Sequence, residues 1–132
     1  LTDADLRNAN LTDASFFRAD LSGANLTDAS LVSAYLTGAS LTGANLTSIN
    51  LEGANLVSAD LTGADLRNAS LMGTDFYQAN LMGAKIDHNI RDCYSFRHAR
   101  FSPDALPWLI LHPRWAEVKN TVKIVSESEE SA

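Results

Sequence analysis

Large apolar residues recur at every fifth position of the chain, from residue 1 to residue 86. Fifteen of these positions hold Leu, and the residue two places before each of them is Ala from residue 4 to residue 84, except at Ile49 and Thr74. The position between the two favours Asp, Asn or Ser. The chain is therefore built on a repeating unit of the form Ala-(Asp/Asn/Ser)-Leu-x-x.

A period of five does not fit the two common secondary structures. Five residues of an α-helix advance by about 500°, so successive Leu side chains would point about 140° apart and no apolar face would form. In a flat strand the side chains alternate between faces, so each Leu would point away from the previous one. The pattern instead predicts a chain that turns a corner in each repeat, with every Leu and Ala directed at one axis.

The outward residues indicate how many sides such a coil has. All seven glycines fall two residues after an inward Leu. Twenty residues per turn, five on each side, predict a square cross-section with glycine at corners that need a positive φ. The glycines that carry this spacing are Gly23, Gly43, Gly63 and Gly83, together with the pair Gly53 and Gly73.

The run ADLRNANLTDASFFRADLSGANLTDASL resembles the pentapeptide-repeat family, and the resemblance covers residues 1–88. It implies an all-β solenoid, a right-handed four-sided parallel β-helix, here with about four to five coils. The family is abundant in cyanobacteria, where most members have no assigned role. The resemblance is specific for the fold and implies a structural or interaction role rather than an enzymatic one.

The repeat weakens after residue 88, because Arg91 stands where an inward Leu belongs. The five-residue register then returns, so we predict a β-helix over residues 1–101, of which residues 88–101 form a degenerate last coil with larger core side chains. The inward residues expected there are Tyr94, Phe96, Ala99 and Phe101.

The segment that follows carries helix signals. Ser102 followed by Pro103 is typical of a helix start, and an apolar stripe of Trp115, Val118 and Val122 predicts a second helix from Pro113 to about Val122. We expect residues 102–125 to form a helical cap over the last coil. Residues 126–132 are predicted to be a disordered acidic tail.

Composition narrows the possible roles. A net charge of −6 argues against direct nucleic-acid binding and against a polybasic lipid anchor, and the sequence lacks an apolar run long enough for membrane insertion. The single cysteine allows no internal disulfide. The compartment stays open: the cytoplasm is the default, and the periplasm or the thylakoid lumen would follow if a targeting segment has been removed before Leu1.

Few residues suggest chemistry. His88, Cys93 and His98 share one outward corner position on three successive sides, so they should diverge as surface residues rather than converge on a metal ion. His112 beside Pro113 is interpreted as a helix-boundary residue. The sequence predicts no catalytic residues, no cofactor site and no metal site.

The outer surface is the remaining candidate for function. One side carries Phe17, Tyr35, Val57 and Tyr77, and Val32 and Met72 lie on the side before it. Apolar groups gathered on one wall are typical of a partner site, although aromatic residues also suit extended backbone for structural reasons alone. The hypothesis is a non-enzymatic protein whose flat walls bind another protein.

Two further possibilities follow from the resemblance and from the ends of the coil. The alternative function is imitation of duplex DNA, by which an acidic rod binds and inhibits DNA gyrase. Its carboxylates would be those of Asp3, Asp20 and Asp60 on one wall, and Asp5, Asp28, Asp65 and Asp87 on the next. A homodimer could form through the uncapped N-terminal coil or through the C-terminal helices.

Overall fold

The computed structural model describes residues 1–126, and these residues form a four-sided β-helix of five coils followed by a short cap. Parallel backbone bridges join residues that are twenty positions apart. One such column runs from Asp5 through Asn25, Asn45 and Asp65 to Lys85. The twenty-residue turn expected from the glycine spacing is therefore confirmed, and Leu26 and Leu46 lie above one another in one wall.

The inward positions form a continuous apolar core. Leu and Ala side chains from residue 21 to residue 84 are almost completely buried. Thr74, one of the two departures from Ala, is also buried, and its Oγ1 donates a 2.7 Å hydrogen bond to the carbonyl oxygen of Leu51. Leu6, Leu11 and Phe16 are only partly buried because no coil among the described residues lies on their N-terminal side.

Each regular corner is a tight turn in which the N–H of the fourth residue donates a hydrogen bond to the carbonyl oxygen of the first, as from Ala4 to Leu1 at 3.0 Å. The third residue of each turn adopts a positive φ. All seven glycines lie there with φ between 66° and 70°, and eleven other residues, mostly Asp, Asn and Ser, share the position. Glycine is thus favoured at these corners but is not required at each of them.

The preference for Asp and Asn before the inward Leu has a local cause. The side chain of the residue before the inward Leu accepts a hydrogen bond from the backbone N–H of the residue after that Leu. Asn25 Oδ1, for example, accepts from the Thr27 N–H at 3.1 Å. The same contact recurs at Asn45, Asp60 and Asp75. These carboxylates and amides are therefore part of the fold, because they satisfy backbone donors that the coils leave free.

The last coil is completed by a 3₁₀ helix, His88–Asp92, in place of one regular side. Ile90 fills the core where Arg91 falls in the five-residue count, and Arg91 is exposed. The inward positions thus shift one residue towards the N-terminus and return to register at Ser95, which pairs with Asp75.

This shift corrects two of the expectations for the last coil. Tyr94 was expected inside but is 65% exposed, and Cys93, expected on the surface, is buried in its place. The other three residues expected inward, Phe96, Ala99 and Phe101, are buried.

The cap contains a strand as well as helices. Strand β1 (Asn80–Leu81) pairs in parallel with β2 (Arg100–Phe101), which pairs with β3 (Lys123–Ile124). Between β2 and β3 lie a 3₁₀ turn (Pro103–Ala105) and two short helices, α1 (Leu106–Leu109) and α2 (Trp115–Val118). Neither helix is long or apolar enough to cross a membrane.

The predicted second helix was too long. Helix α2 ends at Val118, and Val122 precedes a strand that adds one more rung to the sheet. Ser102 makes no capping bond with its side chain; its Oγ instead accepts a 2.7 Å hydrogen bond from the Gly83 N–H. Leu109 and Val118 enter the core, while most other apolar residues of the cap stay partly exposed. The predicted acidic tail lies outside the described residues from residue 127 onwards.

Candidate partner-binding wall

The candidate residues lie on two adjacent walls. We define the aromatic wall as the side whose inward residues are Phe16, Leu36, Leu56, Phe76 and Phe96. Phe17, Val57 and Tyr77 occupy one outward column of this wall, each directly after an inward residue, and Tyr35 lies in the neighbouring column. The side chains are held on a ladder of parallel bridges that joins Ser15, Tyr35, Asn55, Asp75 and Ser95.

Exposure differs among these residues. Phe17 and Tyr35 are 59% and 57% exposed, whereas Val57 and Tyr77 are half-buried. The Arg18 guanidinium lies 5.2 Å from the centre of the Phe17 ring, which is within the range of a cation–π contact. The rings of Tyr77 and His98 pack in a T-shaped arrangement, with 5.5 Å between ring centres.

Val32 and Met72 lie on the preceding wall. They share a column with Glu52 between them, so the structure does not bring the two side chains together as one patch. Met72 is 60% exposed and Val32 is half-buried. Of the six candidate residues, the four on the aromatic wall are therefore the coherent group.

A cleft that the sequence did not predict lies at the C-terminal end of the aromatic wall. It has a volume of about 330 Å³, and Tyr94 is one of its lining residues. With Tyr94 included, all three tyrosines of the chain lie on the aromatic wall. Tyr94 was missed because the five-residue count placed it inside the coil. The cleft is lined by Val57, Asp75, Tyr77, Tyr94, Ser95, Arg97 and Arg114.

His112 fixes the part of the cap that borders this cleft. Its ring is buried and packs edge-on against Phe96, with 4.7 Å between ring centres. Its Nδ1 accepts a 3.1 Å hydrogen bond from the Arg114 N–H, so Nε2 carries the proton and donates to the Cys93 carbonyl oxygen at 3.1 Å. His112 therefore connects the cap to the last coil through a hydrogen bond and ring packing.

Most acidic residues of the coils lie on walls other than the aromatic wall, and some of them are paired with arginines. The Arg7 guanidinium donates two hydrogen bonds to Asp5, and these lower the pKa of that carboxyl to about 2. Arg67 holds Asp65 in the same way and lowers its pKa. The wall that was expected to carry four carboxylates thus presents alternating charges rather than a continuous acidic surface.

The three residues weighed as metal ligands do not converge. Cys93 points into the core, and His98 lies against Tyr77. Within residues 1–126, no group of three or more His, Cys, Asp or Glu side chains is arranged to hold a metal ion.

Cys93 is expected to be chemically inert in the folded protein. Burial, together with the charges of Asp75 and Asp92, raises the pKa of its thiol to about 12, so the reactive thiolate is scarce at neutral pH. An aromatic disulfide reagent should label it slowly in the native protein and rapidly in urea. A Ser58→Cys variant, whose added thiol is exposed, serves as the control; fast labelling of native Cys93 would contradict the buried placement.

The comparison with known families agrees with the architecture. The sequence matches the family described as Pentapeptide repeats in eight copies, over residues 1–31, 14–53 and 49–86. The chain belongs to the pentapeptide-repeat family. Its coil is the right-handed quadrilateral β-helix of that family, and pentapeptide-repeat proteins are generally structural rather than enzymatic.

Solved structures of pentapeptide-repeat proteins resemble the chain. Rfr23 from the cyanobacterium Cyanothece 51142 is 35% identical, with a TM-score of 0.47, over 64% of this chain and 61% of that one. A protein from the Arabidopsis thaliana thylakoid lumen is 25% identical, with a TM-score of 0.54, over 83% of this chain and 77% of that one. QnrB1, a plasmid-mediated fluoroquinolone resistance protein, is 21% identical, with a TM-score of 0.44, over 76% and 57%. No curated protein sequence matches the chain.

Proposed function

We propose that this pentapeptide-repeat protein is a non-enzymatic interaction protein that binds another protein through its aromatic wall. The observation that carries the proposal is the placement of Phe17 and all three tyrosines on that wall, with Phe17, Tyr35 and Tyr94 more than half exposed. Exposed aromatic side chains are costly in water and are enriched where proteins meet.

The backbone of the wall favours the same role. The side chains project from coils that are hydrogen-bonded to their neighbours along the β-helix, so the backbone loses little conformational entropy when a partner binds. The part of the wall that carries Phe17 and Tyr35 is preorganised in this way, and such a surface suits the binding of a macromolecule.

Capture of a partner by the aromatic wall tests the proposal. The triple variant Phe17→Ala, Tyr35→Ala, Tyr77→Ala should lose a protein that the wild-type chain retains from a lysate of the native host. Its melting temperature should fall only slightly, because none of the three side chains fills the core. The matched control places alanine at Arg7, Thr27 and Thr47 on the opposite wall. Equal capture by wild type and the aromatic-wall variant would refute the proposal.

Imitation of DNA ranks second as a function. A DNA mimic needs a sustained negative field along the rod, whereas Asp5 and Asp65 are paired with arginines on their own wall. The likeness to QnrB1, at 21% identity, concerns the fold alone. Loss of gyrase supercoiling at micromolar protein would reverse this ranking.

Homodimer formation stays a prediction. On the cap, Leu106, Trp108, Ile110 and Leu111 are partly exposed and would be available for such a contact. Light scattering that reports a monomer at high concentration would contradict it.

A further inference from the structure

The cleft at the C-terminal end of the aromatic wall differs in chemistry from the rest of the wall. Phe17 and Tyr35 lie on open, flat surface, whereas the cleft combines aromatic rings with two guanidinium groups and one carboxylate. Its volume of about 330 Å³ is at the lower end of ligand sites and suits one or two amino-acid side chains.

The coil and the cap build the cleft together. Val57, Tyr77 and Arg97 come from one outward column, in which successive coils place their side chains about 4.8 Å apart. Asp75 and Ser95 form the neighbouring column and are paired with each other. Both columns belong to the hydrogen-bonded ladder, so this part of the cleft is fixed by the backbone.

The other lining residues are held by the cap. Tyr94 lies outside the coil because the 3₁₀ helix His88–Asp92 shifts the inward positions by one residue. Arg114 is placed at the cleft by its backbone bond to His112, which is itself bonded to the Cys93 carbonyl oxygen. The cleft is thus formed before any ligand arrives, which reduces the entropy lost on binding.

The charged groups of the cleft differ in what they already bind. Arg114 donates two hydrogen bonds, at 3.0 and 2.9 Å, to the exposed carboxylate of Glu117. One oxygen of Asp75 accepts the Tyr77 N–H at 2.9 Å. The guanidinium of Arg97 forms no ion pair or hydrogen bond with another described side chain, although its backbone N–H is bonded to Ser95 Oγ at 3.2 Å.

We infer that this cleft binds a peptide segment of the partner in which an Asp or Glu stands next to an aromatic or aliphatic residue. Arg97 would take the carboxylate by a charge-assisted hydrogen bond. Tyr77, Tyr94 and Val57 would pack against the apolar side chain. The inference rests on the proposed function, since it names the chemistry of the partner that the aromatic wall binds.

The choice of an acidic ligand follows from Arg97. Glu117 already binds the Arg114 guanidinium, and one oxygen of Asp75 accepts the Tyr77 N–H. The Arg97 guanidinium is therefore the cation of the cleft without an ion pair among the described side chains, and a carboxylate is the ligand group that complements it. Tyr and Arg are also among the residues that most often dominate protein–protein binding energies.

A random peptide library displayed on phage and selected against the full chain tests the inference. Selected peptides should carry Asp or Glu beside an aromatic or aliphatic residue. Their affinity should fall about tenfold or more for Arg97→Gln, because a hydrogen bond to a charged group is lost. Arg7→Gln on the opposite wall is the matched control and should leave the affinity unchanged. Tyr94→Ala should also weaken binding.

Three results would overturn the inference: selection of basic or neutral peptides, equal affinity for Arg97→Gln and the wild type, or no selected peptide at all. These results are separable from failure of the proposed function. If the lysate partner is lost with the Phe17, Tyr35 and Tyr77 variant while the peptides ignore Arg97, the wall binds a partner by other chemistry. If the peptides depend on Arg97 while that variant still captures the partner, the proposed role of the wall fails, and the cleft binds an acidic peptide that does not come from that partner.

Discussion

Insertion of one residue between Asn45 and Leu46 is expected to destabilise the protein by about 5 kcal/mol or more. A shift of all later residues would place Asn and Ser in the core and move every following Leu to the outside, at about 1.5–3 kcal/mol for each buried Leu lost. A local bulge is less costly, but it breaks the pairing of this wall with both neighbouring coils. The bonds at risk join Leu26 to Asn45, Asn45 to Ala24, Leu46 to Asp65, and Asp65 to Ala44.

Each broken bond costs about 1 kcal/mol, and displacement of Leu46 adds about 2–3 kcal/mol. The sum is a large share of the stability of a domain of this size, about 5–15 kcal/mol. Thermal unfolding followed by circular dichroism measures the effect. The control is a five-residue insertion that duplicates residues 44–48, which adds one complete side and keeps every Leu directed inward. An unchanged melt for the one-residue insertion would show that the inward register is not what stabilises the coil.

Replacement of Phe96 by Ala is expected to cost about 3–5 kcal/mol and to loosen the cap. The side chain is buried where the last coil meets the cap. Its ring contacts Phe101, His112 and Trp115, with ring centres 5.9, 4.7 and 6.3 Å away. Removal of the ring leaves a cavity beside His112, at the contact between the last coil and the cap.

Tryptophan fluorescence separates the cap from the coil, because both tryptophans of the chain, Trp108 and Trp115, lie in residues 102–125. In Phe96→Ala the emission should shift to the red at lower urea than in the wild type. Phe17→Ala is the control: that ring is exposed, and loss of its contact with Arg18 should cost less than about 1 kcal/mol. Equal urea midpoints for Phe96→Ala and the wild type would place the stabilising contacts of the cap elsewhere.

The regular coils could be predicted from the sequence because one rule applies to every repeat. A side chain at every fifth position can face one axis only if the chain turns a corner each time, and the glycine spacing then sets four corners per turn. Leu26, Leu46 and Leu66 illustrate this, since each is buried directly above its counterpart in the previous coil.

The end of the coil could not be predicted in the same way. At residues 88–94 the five-residue count competes with side-chain hydrogen bonds that the count ignores. Asp87 illustrates them: its carboxylate accepts from the Asn68 N–H at 2.7 Å and from the Asn89 N–H at 3.1 Å. These bonds start the 3₁₀ helix and allow Ile90, rather than Arg91, to enter the core.

The candidate wall was only partly accessible from the sequence. Folding the chain modulo twenty places Phe17, Val57 and Tyr77 in one column, which the structure reproduces. The cleft depends on Tyr94, which the shift at residues 88–94 turns outward, and on Arg114, which a buried histidine positions. The positions of both residues depend on how the last coil and the cap pack together, which the repeat pattern does not encode.

The hydrogen bonds and packing of the repeat also determine which of its five positions tolerate substitution. Two of every five residues fill the interior, a third supplies the side-chain acceptor for a backbone N–H, and a fourth adopts a positive φ at the corner. Only the residue directly after the inward Leu has none of these structural roles. On the aromatic wall that column reads Phe17, Thr37, Val57, Tyr77 and Arg97. Mutation there can alter binding preference at little cost in folding, so this column is where related rods can diverge in specificity.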